Sequence, residues 1–424
     1  MKTAKLALPL LVALAYVPVQ VLAGTTTVLG AELSSLTIYS NTYTSLGATT
    51  STTGLHSDVY GSILAGGVTT MGSNSKVWGN ISTPEAMNVG ANGAQVTGEI
   101  KSGGVMTLGD SAIADKNITS SGAATLGAHA TVAGNLVSGG VLSAGDTSKV
   151  SGNVAAGGAA SIGANAKVAG TVSAVGLISV SASATTGTQI QLAAGASPVT
   201  PVAYKDVLVA HVAADSLLVS AAQAALRTMT AASATGFGLN FYGSPTASVL
   251  LPATMTVDTT LASGVYNAAS WSTTAGTKLT LDGHGVTNAA WVFNITDILA
   301  FGGTTTMAFI NAPGTPSVIW NAFNGYTSTG AGSQVIGTIL AKTYVMVGAN
   351  ATVGSGNNAG TCGGIYSATS YVTTGDSAVV DGRGCVASTT QADTPAAVPE
   401  PGSLAMLLTG LGLLGFMVRR KNQA

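Results

Sequence analysis

Charge is the scarcest property of this 424-residue chain: 7% of its residues are Asp, Glu, Lys or Arg, and 15 basic residues nearly balance 16 acidic ones. A typical domain carries about a quarter. The chain therefore has no electrostatic footprint for nucleic acid or anionic lipid, and nucleic acid is excluded as a partner. Histidine is equally sparse. His56, His129, His211 and His284 lie far apart, and none is accompanied by a nucleophile or ligand motif. The closest polar pair, Asp282 and His284, sits in Asp282-Gly283-His284-Gly285, which reads as a turn. The glycine-rich stretches lack the Gly-Lys-Ser/Thr of a phosphate loop. These absences argue against an enzyme and against a cofactor or metal. Aromatics make up only 5%, yet 46% of residues are apolar and recur periodically, so they can be buried and the chain reads as an ordered β protein.

What is abundant is glycine, 56 residues, and in the first half it returns about every 18 positions: Gly61, Gly79, Gly98, Gly134, Gly152, Gly170 and Gly187. So short a period cannot enclose its own core, and each unit must bury its apolar side against the next, which predicts a stacked β-solenoid. Branched apolar residues stand two positions before and after the column position, as in Val77 and Ile81, Val96 and Ile100, Val132 and Leu136, Val150 and Val154, or Val168 and Val172. Strand periodicity turns them inward. Eight and ten positions on, Met106 and Leu108 or Leu142 and Ala144 place a further strand on the same core. Gly103-Gly104, Gly139-Gly140 and Gly157-Gly158 supply corners. Asn80, Asn117, Asn135 and Asn153 share one register, that of a side-chain ladder.

Lys116 breaks the glycine column once, and in this aligned register the ninth position reads Thr70, Asn88, Thr107, Thr125, Ser143, Ser161 and Ser179, whose side chains point outward because both neighbours point in. Two residues earlier the same face carries Val68, Ala86, Val105, Ala123, Val141, Ala159 and Leu177. A hydroxyl column thus runs beside a small apolar one. Ser and Thr are also good exposed strand residues, so for these repeats a bland reading stands beside a functional one.

From Tyr204 to about Ala232 the period changes. Tyr204, Leu208, His211, Leu218, Ala222, Leu226 and Met229 follow three-to-four spacing, with Lys205, Asp215 and Arg227 between them. That predicts a helix roughly 40 Å long, matching eight or nine strand layers at about 4.8 Å each, so it can lie lengthwise along the solenoid. His211 falls on the apolar stripe and reads as a packed core histidine.

The two ends indicate the compartment. Residues 1–23 carry Lys2 and Lys5, an apolar run from Leu6 to Leu22, and Val21-Leu22-Ala23 before Gly24, the pattern of a secretory signal peptide. In a secreted chain Cys362 and Cys385 read as one disulfide closing a local excursion of the last coils, with metal binding the weaker alternative. Residues 387–398 form a Ser/Thr/Ala/Pro-rich linker. Beyond it come Val398-Pro399-Glu400-Pro401, an apolar stretch from Leu404 to Val418, and Arg419-Arg420-Lys421. Residues 399–424 resemble the PEP-CTERM sorting signal of Gram-negative, exopolysaccharide-producing bacteria. That resemblance implies transient membrane anchoring, processing by an exosortase, and a secreted or cell-surface destination.

In the second half, Gly264-Val265-Tyr266, Leu279-Thr280-Leu281-Asp282-Gly283, Ala290-Trp291-Val292-Phe293-Asn294-Ile295, Ser317-Val318-Ile319-Trp320 and Gly337-Thr338-Ile339-Leu340-Ala341 resemble the bacterial and fungal ice-binding-protein-like family. The resemblance implies a discontinuous right-handed β-solenoid with a long helix packed along one side. Residues 24–81 are similar to that family's N-terminal coils and 191–386 to its helix and C-terminal coils. Residues 82–190 resemble the repeats of bactofilin-like polymer-forming proteins, as in Val150-Ser151-Gly152-Asn153-Val154, and read as an insertion. In the family-like part, Thr304, Thr306, Thr327, Thr329, Thr338 and Thr343 are the outward threonines expected to face a partner. Two functions follow. One is a non-enzymatic protein that adsorbs to ice through a Thr/Ser-bearing face. The other is a structural adhesin or scaffold in an exopolysaccharide matrix, bound to hydrated polysaccharide. An uncapped solenoid end would also invite self-association. The family resemblance favours ice.

Overall fold

The computed structural model describes residues 25–48, 57–196, 201–234, 237–243, 248–354 and 363–383. The expected signal peptide, Cys362, Cys385, the expected linker and the sorting segment, including Pro399, Glu400, Pro401, Arg419 and Arg420, lie outside the described residues.

The described residues form short parallel strands in three long sheets of 15, 14 and 11 strands, plus a 3-stranded sheet. Each turn of the repeats contributes one strand to each long sheet, for example Ile100–Ser102, Met106–Leu108 and Ile113–Ala114. The glycine column occupies a corner between two of these strands. There a Cβ on Gly152 would lie 2.7 Å from the Gly134 carbonyl oxygen, and one on Gly170 would lie 2.7 Å from that of Gly152. Glycine recurs because successive backbones approach too closely for any side chain. The flanking apolar residues all turn in, with Val96, Ile100, Val150 and Val154 at 1% exposure or less. The asparagines form their ladder through the backbone: Asn135 N–H donates to Asn117 Oδ1 at 2.9 Å, 18 residues back, and Asn153 N–H to Asn135 Oδ1 at 2.8 Å.

The chain enters this column in its middle. Leu36–Ser40 pairs on one side with Ser62–Ala65, and the turns then climb to Gln189–Gln191 at one end. The chain re-enters at the other end with Val249–Leu250 and climbs back until Gly364–Ser367 closes on Leu36–Ser40, pairing Ile38 with Ile365. The solenoid is therefore discontinuous in sequence and continuous in hydrogen bonding. The 82–190 repeats extend the same three sheets, pairing Ile63 with Ile81, Thr70 with Asn88 and Val77 with Val96. Cores differ along the column. The repeats bury Val, Leu, Ile, Met and Ala, whereas the family-like end packs Phe293 on Trp320 at 3.9 Å between ring centroids, with Trp271 and Phe301 around them.

Helix α1 (Thr25–Ser34) and helix α2 (Pro201–Arg227) cover the 15-stranded sheet. Along α2, Lys205 Nζ meets Glu85 Oε1 at 2.8 Å, Tyr39 Oη donates to Val212 O at 2.6 Å, and Ser216 Oγ donates to Ala368 O at 2.7 Å. Further on, Asn321 Nδ2 donates to Gln223 O at 3.1 Å and Asn294 Nδ2 to Leu226 O at 2.8 Å. Those contacts run from the turn after Ile81–Thr83 to Ala290–Ile295, seven neighbouring strands rather than eight or nine. The buried stripe is Leu208, Val212, Asp215, Val219, Ala222, Gln223, Leu226 and Met229. Two assignments change with it. Leu218 is 39% exposed while Val219 is buried, and His211 is a surface residue while Asp215 is the one at 0% exposure.

Candidate functional site

Three outer faces could meet a partner, and the helices occupy much of one. The 11-stranded sheet presents Asp58, Lys76, Gln95, Ile113, Thr131, Lys149, Lys167 and Thr185 in one outward register. The 14-stranded sheet differs. Its central outward register runs Ser179, Ser161, Ser143, Thr125, Thr107, Asn88, Thr70, Ser45, Thr373, Met346, Ser328, Ala300, Ser272 and Thr254, each paired with the next across neighbouring strands. Among those 14 positions, 11 carry hydroxyls and none a charge. Away from the two ends of the column the residues on either side are buried, as Met106 and Leu108 are around Thr107, because strand side chains alternate between faces. No register shift interrupts these pairings.

Two positions earlier on each strand a second column shares this face. In the repeats it is the predicted apolar one, with Val68, Val105, Val141 and Leu177 between 39% and 75% exposed. Across the chain's closure it becomes a tyrosine stack. Tyr326 lies on Tyr344 at 4.6 Å between centroids, Tyr344 on Tyr371 at 5.1 Å, and Tyr371 on Tyr43 at 4.7 Å, all nearly parallel. Burial against one another pushes the Tyr43 and Tyr344 hydroxyls up, so they remain neutral donors in ordinary water. The stack was missed in the sequence, although Tyr43-Thr44-Ser45, Tyr326-Thr327-Ser328 and Tyr371-Val372-Thr373 share one pattern.

Of the expected face residues, Thr70, Thr107, Thr125, Ser143 and Ser161 lie together in the hydroxyl column. The family-like threonines do not join them. Thr327 and Thr329 point into the core at 0% and 5% exposure, while Thr338, paired with Ile319 on the outer side of the 15-stranded sheet, is buried on the helix-covered side. The strand Thr327–Thr329 runs one register away from the expected one, so Ser328 is its outward residue. The Thr329 hydroxyl accepts Gly348 N–H at 3.1 Å inside the column. Thr304 is exposed on a turn with φ 55, off the sheet, and Thr306 pairs with Lys278 in the 3-stranded sheet. Thr343 sits half-buried in a corner and donates to Gly325 O at 3.0 Å.

Elsewhere, a cavity of about 570 Å³ is lined by Ser34, Thr37, Tyr60, Trp78 and Arg383. Arg383 lies 3.9 Å over Tyr60 and forks onto Asp381, which raises its own basicity. His284 stacks on Tyr242 at 4.0 Å, and its N–H donates to Asp282 Oδ1 at 2.9 Å, which holds that carboxyl below its usual range and closes the predicted turn.

The sequence matches two family models: ice-binding-like over residues 159–380 and the PEP-CTERM protein-sorting motif over residues 397–421. No curated protein matches it. Among solved structures, an ice-binding protein from the Antarctic ascomycete Antarctomyces psychrotrophicus is 20% identical, with 54% of this chain and 92% of that one covered and a TM-score of 0.30. A glycosylated ice-binding protein from an Arctic yeast is 19% identical, covering 54% and 89%, TM-score 0.30. An ice-binding protein from an Antarctic Flavobacteriaceae bacterium is 12% identical, covering 85% and 98%, TM-score 0.29. With its model spanning more than half of the sequence, the family is settled: the chain belongs to the ice-binding-like family.

Proposed function

We propose that the protein adsorbs to ice through the outer face of the 14-stranded sheet, and that it does so outside the cell, where the C-terminal sorting motif directs it for exosortase processing. One observation carries the reading: the outward register is uncharged over its whole length, while the 11-stranded sheet exposes lysines and an aspartate. Charged groups hold their hydration shells tightly and resist surrendering them to a solid. Hydroxyls beside methyl and ring surfaces hold water weakly and can order it. Parallel strands repeat at about 4.8 Å, close to the shorter repeat of the ice lattice, and the two columns stand about 6.7 Å apart. The 14 strands give a strip about 60 Å long and about 13 Å wide. That is about 800 Å², the area one partner contributes to a standard specific interface. The 82–190 repeats supply nearly half of its length. Adsorption needs no catalytic group.

Thermal hysteresis and ice-crystal shape, measured on the purified secreted protein at tens of micromolar, test the reading. Faceted crystals and a hysteresis gap are expected. Rounded crystals growing at the equilibrium freezing point would overturn it.

A further inference from the structure

Where α1 meets α2 the contact is mostly apolar, with Leu29 and Leu33 packed in one cluster with Val212 and Val219. Into that contact the chain inserts Asp215, at 0% exposure, and neither carboxylate oxygen accepts a hydrogen bond. The neighbouring hydroxyls are committed elsewhere: Tyr39 Oη donates to Val212 O at 2.6 Å and Tyr366 Oη to Leu36 O at 2.6 Å. A buried carboxylate left so is costly, and native structures rarely leave one without a partner. One nitrogen faces it. His211 Nε2 lies 3.6 Å from Asp215 Oδ2 and 2.9 Å from Glu32 Oε1. A single proton on Nε2 can serve only one of the two carboxylates well.

We propose that Glu32, His211 and Asp215 bind a divalent transition-metal ion of the zinc class, which clamps α1 onto α2. Their ligand atoms all lie within 4.8 Å of one another. One imidazole and two carboxylates form a donor set that suits zinc, with bonds of about 2.0–2.2 Å. Tetrahedral geometry at those lengths separates ligand atoms by about 3.4 Å. The His211–Asp215 separation of 3.6 Å is close to this, and Glu32, 2.9 Å from His211 on a side chain 56% exposed, has room to adjust to the other two. His211 and Asp215 are one helical turn apart and so project together, while Glu32 comes from α1. The ion would supply both Asp215 and Glu32 with a partner and leave a fourth position for water. This site lies on the helix-covered side and does not depend on the ice-binding reading.

The test uses the whole secreted protein stripped with a chelator, titrated with zinc by calorimetry, and melted with and without it. One equivalent should bind and raise Tm by several degrees, as expected when an ion binds only the folded state. Glu32→Gln and His211→Gln should each weaken binding about tenfold or more and abolish the shift, while their metal-free Tm values stay close to that of the parent. Glu32 is exposed, so its variant tests the site even if Asp215→Asn fails to fold. His129→Gln should bind as the parent does. Cobalt(II) should give visible absorption in the parent and lose it in Glu32→Gln. No binding by the parent, or equal binding by Glu32→Gln, would overturn the proposal.

Discussion

Removing the Trp320 side chain should destabilise the column strongly while leaving its outer face intact. The indole is fully buried, stacks on Phe293 at 3.9 Å and 11°, and meets Phe301 edge-on at 5.0 Å. Its Nε1 donates to Ile336 O at 2.8 Å. Truncating a buried aromatic to alanine costs about 3–5 kcal/mol through lost burial and the cavity left behind. The orphaned Ile336 carbonyl adds about 1 kcal/mol, so Trp320→Ala should lose about 4–6 kcal/mol. Trp320→Phe keeps a ring against Phe293 and gives up the hydrogen bond and part of the volume, for about 1–2 kcal/mol. Urea unfolding followed by far-UV circular dichroism reads both values, provided the slope m is unchanged. Since the indole points inward, hysteresis measured well below the melting range should persist in both variants. Equal losses for the two, or a Trp320→Ala loss below about 1 kcal/mol, would show that the aromatic cluster does not hold this end of the column together.

Three further outcomes follow from the packing. Gly152→Val would drive a Cβ to 2.7 Å from Gly134 O and 2.6 Å from Asn135 Oδ1, so thermal melting should register a loss of about 1–3 kcal/mol. Asn135→Ala removes the acceptor of Asn153 N–H, and hydrogen exchange at that one amide should quicken with a global loss of about 1 kcal/mol. Tyr371→Ala takes out a ring stacked on both Tyr344 and Tyr43, which should cost about 1–3 kcal/mol in urea unfolding and leave a gap in the face.

The repeats were legible because their period is strict. Once Val96 and Ile100 are set inward, counting alone fixes Thr107, Thr125 and Ser143 as outward, and the structure places them there. The same count fails in the family-like end, where turns vary in length and give no fixed origin. A slip of one residue exchanges the faces of a strand, and that slip put Thr327 and Thr329 outside when Ser328 belongs there. Buried threonines compounded the error. Thr273 and Thr305 hydrogen-bond each other inside the column at 2.7 Å, so a hydroxyl is no reliable mark of the surface in this fold. Helix α2 showed in its apolar spacing, but which of two adjacent leucine or valine positions packs inward depends on its roll against the sheet. That roll buries Asp215 and exposes His211. Glu32 lies 179 positions before His211, and no local pattern joins them.

The central claim is that the uncharged face of the 14-stranded sheet meets ice, and the most direct measurement is thermal hysteresis of Thr125→Tyr against Lys149→Tyr. Both place the same ring on an exposed strand residue of nearby turns, one on each face. The account predicts that Thr125→Tyr, which raises a bulky ring in the middle of the hydroxyl column, loses most of the activity, while Lys149→Tyr retains it. Full activity in Thr125→Tyr together with loss in Lys149→Tyr would contradict it.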